Sequence, residues 1–145
     1  MYLCSNIILY GRNCMKTTCE ILKESKTIAV VGISNKPNRD SGRIAVFLKK
    51  RGYHVIGVHP FQKDFEGIKI YPKLTDIKED IDIVDVFRNS DSIPGLIPDV
   101  LIKKPKVLWL QLGIRNDEAV KPVVEEGIQV IQDICIAMEY NFCRE

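Results

Sequence analysis

Between Gly32 and Gly42 the chain reads Gly-Ile-Ser-Asn-Lys-Pro-Asn-Arg-Asp-Ser-Gly, a set of residue types suited to holding phosphate. Gly32 permits a tight turn and a close backbone approach. Ser34 and Ser41 supply hydroxyl donors, and Lys36 and Arg39 supply charge. A guanidinium at Arg39 can fork two hydrogen bonds onto phosphate oxygens. Ser41 stands where the N-cap of a following helix is expected, so the N–H groups near Ser41–Arg43 and the helix dipole would favour an anion there.

Two familiar phosphate loops do not fit. The pattern G-x-x-x-x-G-K-[ST] fails because Pro37 stands five residues after Gly32. The pattern G-x-G-x-x-G fails because Ser34 occupies the second glycine position. A dinucleotide site also needs Asp or Glu at the end of the second strand for the ribose diol, and here that strand closes on Val58-His59-Pro60. An ordinary NAD site is therefore disfavoured. The competing structural reading is a plain β–α turn made from the same Gly and Pro.

The elements that must position this loop alternate regularly. Thr27–Val31 is an apolar, β-branched run, as a strand buried on both faces requires. Ile44, Ala45, Phe47 and Leu48 then recur at helical spacing up to Gly52. Further strands are expected at Tyr53–Val58, Lys69–Tyr71, Ile81–Phe87, Val107–Leu112 and Ile128–Gln132. Helices are expected near Leu74–Lys78, after Asp91 (made irregular by Pro94 and Pro98), at Asn116–Glu126 with Asn116 as cap, and at Ile136–Phe142. Asp82 and Asp85 interrupt the strand Ile81–Phe87, which suggests that one of its faces reaches solvent or a ligand. Strands joined by helical crossovers imply a three-layer Rossmann-like α/β fold, a mostly parallel sheet with helices on both faces.

The chain has 145 residues, 46% hydrophobic and 28% charged, which fits one domain with its own core. Residues 15–145 read as that domain. Residues 1–14 read as an N-terminal extension, lacking the basic start and small-residue cleavage site of a signal peptide. The formal net charge is +2, but Lys36, Arg39, Arg43, Lys49, Lys50 and Arg51 face only Asp40 within residues 36–51. Such a focus suits a compact polyanion rather than a long nucleic-acid track, so nucleic acid is not an expected partner. For Lys49, Lys50 and Arg51 a solvated helix face is the simpler expectation. No apolar run approaches the ~18 residues that a membrane span needs. The five cysteines show no C-x-x-C spacing, and neither a zinc site nor a disulfide framework can be read from them. A reducing, cytoplasmic setting is the simplest inference.

Five motifs in order then carry a resemblance: Val30-Val31-Gly32-x-Ser34-x-x-Pro37-x-Arg39-x-Ser41, Val58-His59-Pro60, Ile83-Val84-Asp85-Val86-Phe87-Arg88, Leu108-Trp109-Leu110-Gln111-Leu112-Gly113 and Asp133-Ile134-Cys135. Over about residues 17–140 the chain resembles the small stand-alone CoA-binding proteins, which are similar to the CoA-binding domain of succinyl-CoA synthetase alpha subunits. The resemblance implies coenzyme A or an acyl-CoA as the ligand. Gly32, Ile33, Ser34, Lys36, Arg39 and Ser41 would meet its phosphates. Pro60 and Lys63 would flank the 3′-phosphate and adenosine, and Val86, Phe87 and Arg88 would line the adenine and pantetheine side. The chain departs from the family in having His59 where Asn is common before the proline, and Ile134 where a basic residue is common before the late cysteine.

Cys135 is a candidate redox thiol: it follows the last strand on the edge where the ligand is expected, although a small buried hydrophobe is the commoner role of free Cys. His54 is expected to be packed within its strand, and His59 to sit at the site mouth. Asp82 and Asp85, at odd spacing on one strand, face opposite ways and form no acid–base pair. Trp109 is expected in the core. No catalytic constellation emerges, so the expectation is a CoA-binding carrier, sensor or regulator without turnover. The alternatives are an NAD(P)-binding oxidoreductase, one half of a split acyl-CoA ligase, and a protein-interaction domain with a vestigial loop. A homodimer or another protein partner is compatible with all of them.

Overall fold

The computed structural model describes residues 9–10 and 13–144. Most of the expected extension, residues 1–14, lies outside these; within it β1 (Leu9–Tyr10) pairs antiparallel with β2 (Asn13–Cys14). The remaining elements follow as α1 (Thr18–Glu24), β3 (Thr27–Val31), α2 (Asp40–Lys50), β4 (His54–Val58), β5 (Lys69–Tyr71), β6 (Ile83–Val86), α3 (Ile93–Lys103), β7 (Val107–Leu110), α4 (Asp117–Glu125), β8 (Gln129–Ile131) and α5 (Ile136–Cys143). The brief helix expected near Leu74 is a single 3-10 turn, Leu74–Asp76, and the late-starting helix expected after Asp91 is α3, led in by a 3-10 turn at Ser90–Ser92.

Strands β3 to β8 form one all-parallel sheet in the order β5-β4-β3-β6-β7-β8. The chain winds outward from β3 through β4 to β5, returns to β6, and winds the other way through β7 to β8. Right-handed crossovers on both sides of that reversal put the connecting helices on opposite faces. Ala45 and Leu48 of α2 pack with Ile21 and Leu22 of α1 and Ile136 of α5 over one face. Leu96, Ile97 and Val100 of α3 pack with Val120 and Val123 of α4 over the other. Ile28 to Val31 of β3 are fully buried, as a central strand covered on both faces must be.

Asp82 and Asp85 do divide, but not toward solvent and ligand. Asp82 accepts hydrogen bonds from the backbone N–H groups of Lys26 (2.8 Å) and Thr27 (3.0 Å), tying the starts of β3 and β6 together, and Lys106 Nζ lies 3.3 Å away. Partial burial opposes its charge, yet these donors hold its pKa below the ordinary carboxylate value. Asp85 stands opposite Val30 and Trp109 in the sheet register, beneath α1, α2 and α5. It is fully buried and neither carboxyl oxygen has a hydrogen-bond partner. Burial therefore pushes its pKa well above the ordinary value, and the neutral acid is the form the core tolerates. Trp109 is core as expected, and its Nε1–H donates to the Ile134 carbonyl at 2.8 Å. His54 is not packed: it is exposed, with Nε2 3.0 Å from Glu79. It opens a strand whose first position lies outside the covering helices.

The cysteine expectation also needs correction. Cys19 of α1 and Cys143 of α5 form a disulfide across a sequence separation of 124 residues. Spacing gave no hint of it, because the pair is brought together only when the first and last helices pack side by side. With it goes the cysteine-based ground for expecting a reducing compartment. Cys135 is the one unpaired cysteine among the described side chains. No helix of the described residues is long and apolar enough to cross a membrane.

Two outcomes are expected. A native carboxyl with a raised pKa keeps its proton where the unfolded chain has lost it, so Asp85 contributes a stability that is greatest at acid pH and declines as pH rises from the ordinary carboxylate pKa toward the native one. Asp85→Asn should therefore gain in thermal midpoint relative to the unaltered protein as pH rises from 4 to 8; a difference independent of pH would contradict this. Cys143→Ser should lower stability by about 2–4 kcal/mol in oxidised protein, and by nothing in fully reduced protein, measured by denaturant titration.

Candidate functional site

The reversal of winding between β3 and β6 leaves their carboxyl ends uncovered by a common crossover, and there a cavity of about 590 Å³ opens. Gly32 turns the chain out of β3 with φ +85°, a conformation costly for other residues. A Cβ there would also lie 2.8 Å from the Phe87 carbonyl oxygen at the end of β6. The turn is pinned from both sides: Gly32 N–H donates to Val58 O at 2.9 Å, and Phe87 N–H donates to Val31 O at 2.8 Å. Gly42 serves a different need. A Cβ on it would run into the Ser34 carbonyl oxygen, so only glycine lets the first turn of α2 rest on the loop.

Within the loop, Lys36 N–H donates to Ser34 Oγ (3.2 Å) and Arg39 N–H to the Lys36 carbonyl (3.1 Å), which folds residues 34–39 back toward the cavity. Helix α2 begins at Asp40, with Arg39 as its N-cap and no side chain capping it. Ser41 is thus not the cap that was expected: it is the second helical residue and is buried. The first-turn N–H groups are left without a side-chain acceptor, as an anion site requires. Arg43 pairs with Asp40 and also donates to the Pro37 carbonyl at 3.2 Å. The one carboxylate on the loop is thereby neutralised. Lys36 and Arg39 make no ion pair among the described residues and are exposed at the cavity.

The opposite wall comes from the loop after β4. His59 N–H extends the β4–β5 pairing by donating to Tyr71 O at 3.0 Å. Its Nδ1 accepts from the backbone N–H groups of Phe61 (3.0 Å) and Gln62 (3.1 Å). An Nδ1 that accepts twice carries no proton, so the ring is the neutral Nε2–H tautomer. Its pKa is lowered by partial burial and by the positive charges of Arg88 and Lys36, which agrees.

Of the residues named from sequence, Gly32, Ser34, Lys36, Arg39, Ser41 and Phe87 line the cavity together. Ile33 and Val86 are fully buried, their side chains packed into opposite core layers, which leaves only their backbone on this edge. Arg88 is half-buried beside the Gly32 turn, its Cγ 3.3 Å from where a Cβ on that glycine would lie. Pro60 and Lys63 are exposed in the loop after β4 and are not among the lining residues. Cys135 is the half-buried N-cap residue of α5, held at the carboxyl end of β7, one strand beyond β6, by the bonds of Ile134 and Ile136 to that strand's end. Sequence reasoning passed over Asn38, Phe61 and Gln62, all lining residues. The available signal was an aromatic residue directly after the His59-Pro60 turn, in the loop that follows the second strand.

The two later motifs act at one remove. Gln111, buried at the end of β7, accepts from Ile136 N–H at 2.9 Å, and Asp133 accepts from Gly113 N–H at 2.6 Å. Together with the Trp109–Ile134 bond they fasten the carboxyl end of β7 to the start of α5. A second cavity, about 520 Å³, lies at the opposite end of the sheet against Tyr53, Tyr140 and the Cys19–Cys143 bridge. Its positive-φ glycine, Gly52, follows the end of α2 rather than opening a helix.

Comparison with known proteins agrees with this geometry. Residues 26–141 match the model of a family described as a CoA binding domain. The chain is 40% identical over 121 residues to YneT, an uncharacterized protein of Bacillus subtilis, spanning 83% of this chain and 90% of that one. Among solved structures, a hypothetical protein from Pyrococcus horikoshii superposes with a TM-score of 0.84 at 33% identity, covering 88% of this chain and 90% of its own. A protein from Thermus thermophilus does so with a TM-score of 0.82 at 37% identity, covering 86% and 94%. With the family model matching most of its length, and with an anion cradle at the reversal between β3 and β6, the chain belongs to the CoA-binding domain family.

Proposed function

We propose that the protein binds coenzyme A or an acyl-CoA in the cavity beyond β3 and β6, as a carrier, sensor or regulator that does not turn the ligand over. The observation that carries this reading is the convergence on one cavity of a glycine turn, the uncapped start of α2 and two cations without ion-pair partners. A pyrophosphate needs such a set: N–H donors that cost no reorganisation, and mobile charges that close over them. The apolar arm of the ligand then runs along the carboxyl edge over Phe87 and Leu112, the latter 64% exposed at the end of β7. From β3 to β7, whose end holds Cys135, is two strand spacings, or about 9–10 Å. An extended pantetheine arm can cover that distance, so its thiol would reach the edge where Cys135 stands.

A panel of CoA, acetyl-CoA, NAD, NADP and ATP in a thermal-shift assay tests the ligand. CoA at 100 times its Kd should stabilise by about 2.7 kcal/mol, which for a domain of this size is roughly 5–11 °C in Tm. Arg39→Ala or Lys36→Ala should weaken CoA roughly 10- to 100-fold, the scale of one charge-assisted hydrogen bond. Stronger stabilisation by NAD or NADP would replace this reading with an oxidoreductase, and no response to any nucleotide would favour a protein-interaction domain.

The thiol end is tested by exchange. Incubation with CoA disulfide should let the Cys135 thiolate displace one CoA thiolate and leave a mixed disulfide, seen as a CoA-sized gain in intact mass. Cys135→Ser should lack it, and an adduct on any other cysteine would speak against this placement of the arm.

A further inference from the structure

Phe61 is 87% exposed, the most open large apolar side chain among those described, and it stands at the mouth of the phosphate cavity. Its position is nevertheless tightly specified. The Phe61 and Gln62 N–H groups both end on His59 Nδ1, and His59 N–H is anchored to Tyr71 O. The two rings meet edge to face, with centroids 6.3 Å apart and planes at 68°. Folding thus holds an aromatic face in water, facing the same space as Lys36 and Arg39. A ligand that joins phosphates to a flat heteroaromatic base satisfies both, since every base offers a π-face and needs no directional partner.

We propose that Phe61 is the surface on which the base of the nucleotide ligand stacks, and that His59, through the two hydrogen bonds it accepts, is the positioning residue that holds Phe61 in place. The proposal rests on the reading of this cavity as the CoA site. It assigns to the stretch after β4 a selectivity for nucleotides over bare phosphates that Lys36 and Arg39 alone do not supply.

Titration calorimetry on the full chain with two probes, CoA and inorganic pyrophosphate, separates the possibilities. Phe61→Ala should weaken CoA roughly tenfold and leave pyrophosphate unchanged, and Phe61→Trp should restore CoA. His59→Ala should reproduce the CoA-specific loss. His59→Asn should recover it, because an Asx carbonyl can accept the same N–H groups. The double variant His59→Ala/Phe61→Ala should be no weaker than Phe61→Ala alone. Unchanged CoA affinity in Phe61→Ala overturns the stacking, as do equal losses for both probes, which would mean that the cradle itself had been disturbed. Additive losses in the double variant overturn the positioning role and make His59 an independent contact. If the unaltered protein binds pyrophosphate but not CoA, the CoA reading falls; CoA binding indifferent to Phe61 removes only the stacking.

Discussion

Each strand–helix–strand unit of a parallel sheet must cross over right-handedly, and in this chain the winding changes direction once, between β5 and β6. The candidate site depends on that reversal. It sends α2 to one face and α3 to the other, so the loops leaving β3 and β6 diverge instead of covering their strand ends. The uncovered crevice is where Gly32 turns, where α2 begins, and where Phe87 and Arg88 emerge. Burial of β3 on both faces makes the arrangement rigid, because its side chains have no other apolar layer to join.

Within that crevice the local chemistry follows from two close approaches. Glycine at 32 lets the loop pass the end of β6, and glycine at 42 lets α2 sit on the loop. The pairing of Arg43 with Asp40 removes the one opposing charge on the loop. What remains is an amide-rich, cationic cradle bordered by an aromatic wall from the loop after β4. The fastening of β7 to α5 through Gln111, Asp133 and Trp109 extends a firm edge away from the cradle. The proposed ligand, with a charged head and an apolar arm, matches this distribution.

Asp85 is the conspicuous exception to a well-satisfied interior. A carboxyl without partners between Val30 and Trp109 survives only as the neutral acid. Asp82, three residues earlier, has the opposite fate because it meets two backbone donors and a lysine at the strand entrance. The same residue type on one strand is thus a charged clamp at the rim and a neutral filler in the middle.

The succession of apolar β-branched runs and helical spacings determined the element order and the parallel sheet, because these depend on local periodicity and on the handedness of crossovers. The residue types between Gly32 and Gly42 marked that loop as one suited to an anion. Tertiary structure alone decided which side chains meet. Ile33 and Val86 turn into the core because their pleat positions face covered layers, and Phe61 and Gln62 join the cavity because β4 lies beside β3 in space. Ser41 became an interior helical residue because α2 starts two residues earlier than expected, with Gly42 against Ser34. Cys19 found Cys143 only through the packing of α1 on α5. Periodicity reports which face of a strand is apolar, but not which distant element covers it, and it is that long-range pairing that makes a site out of a loop.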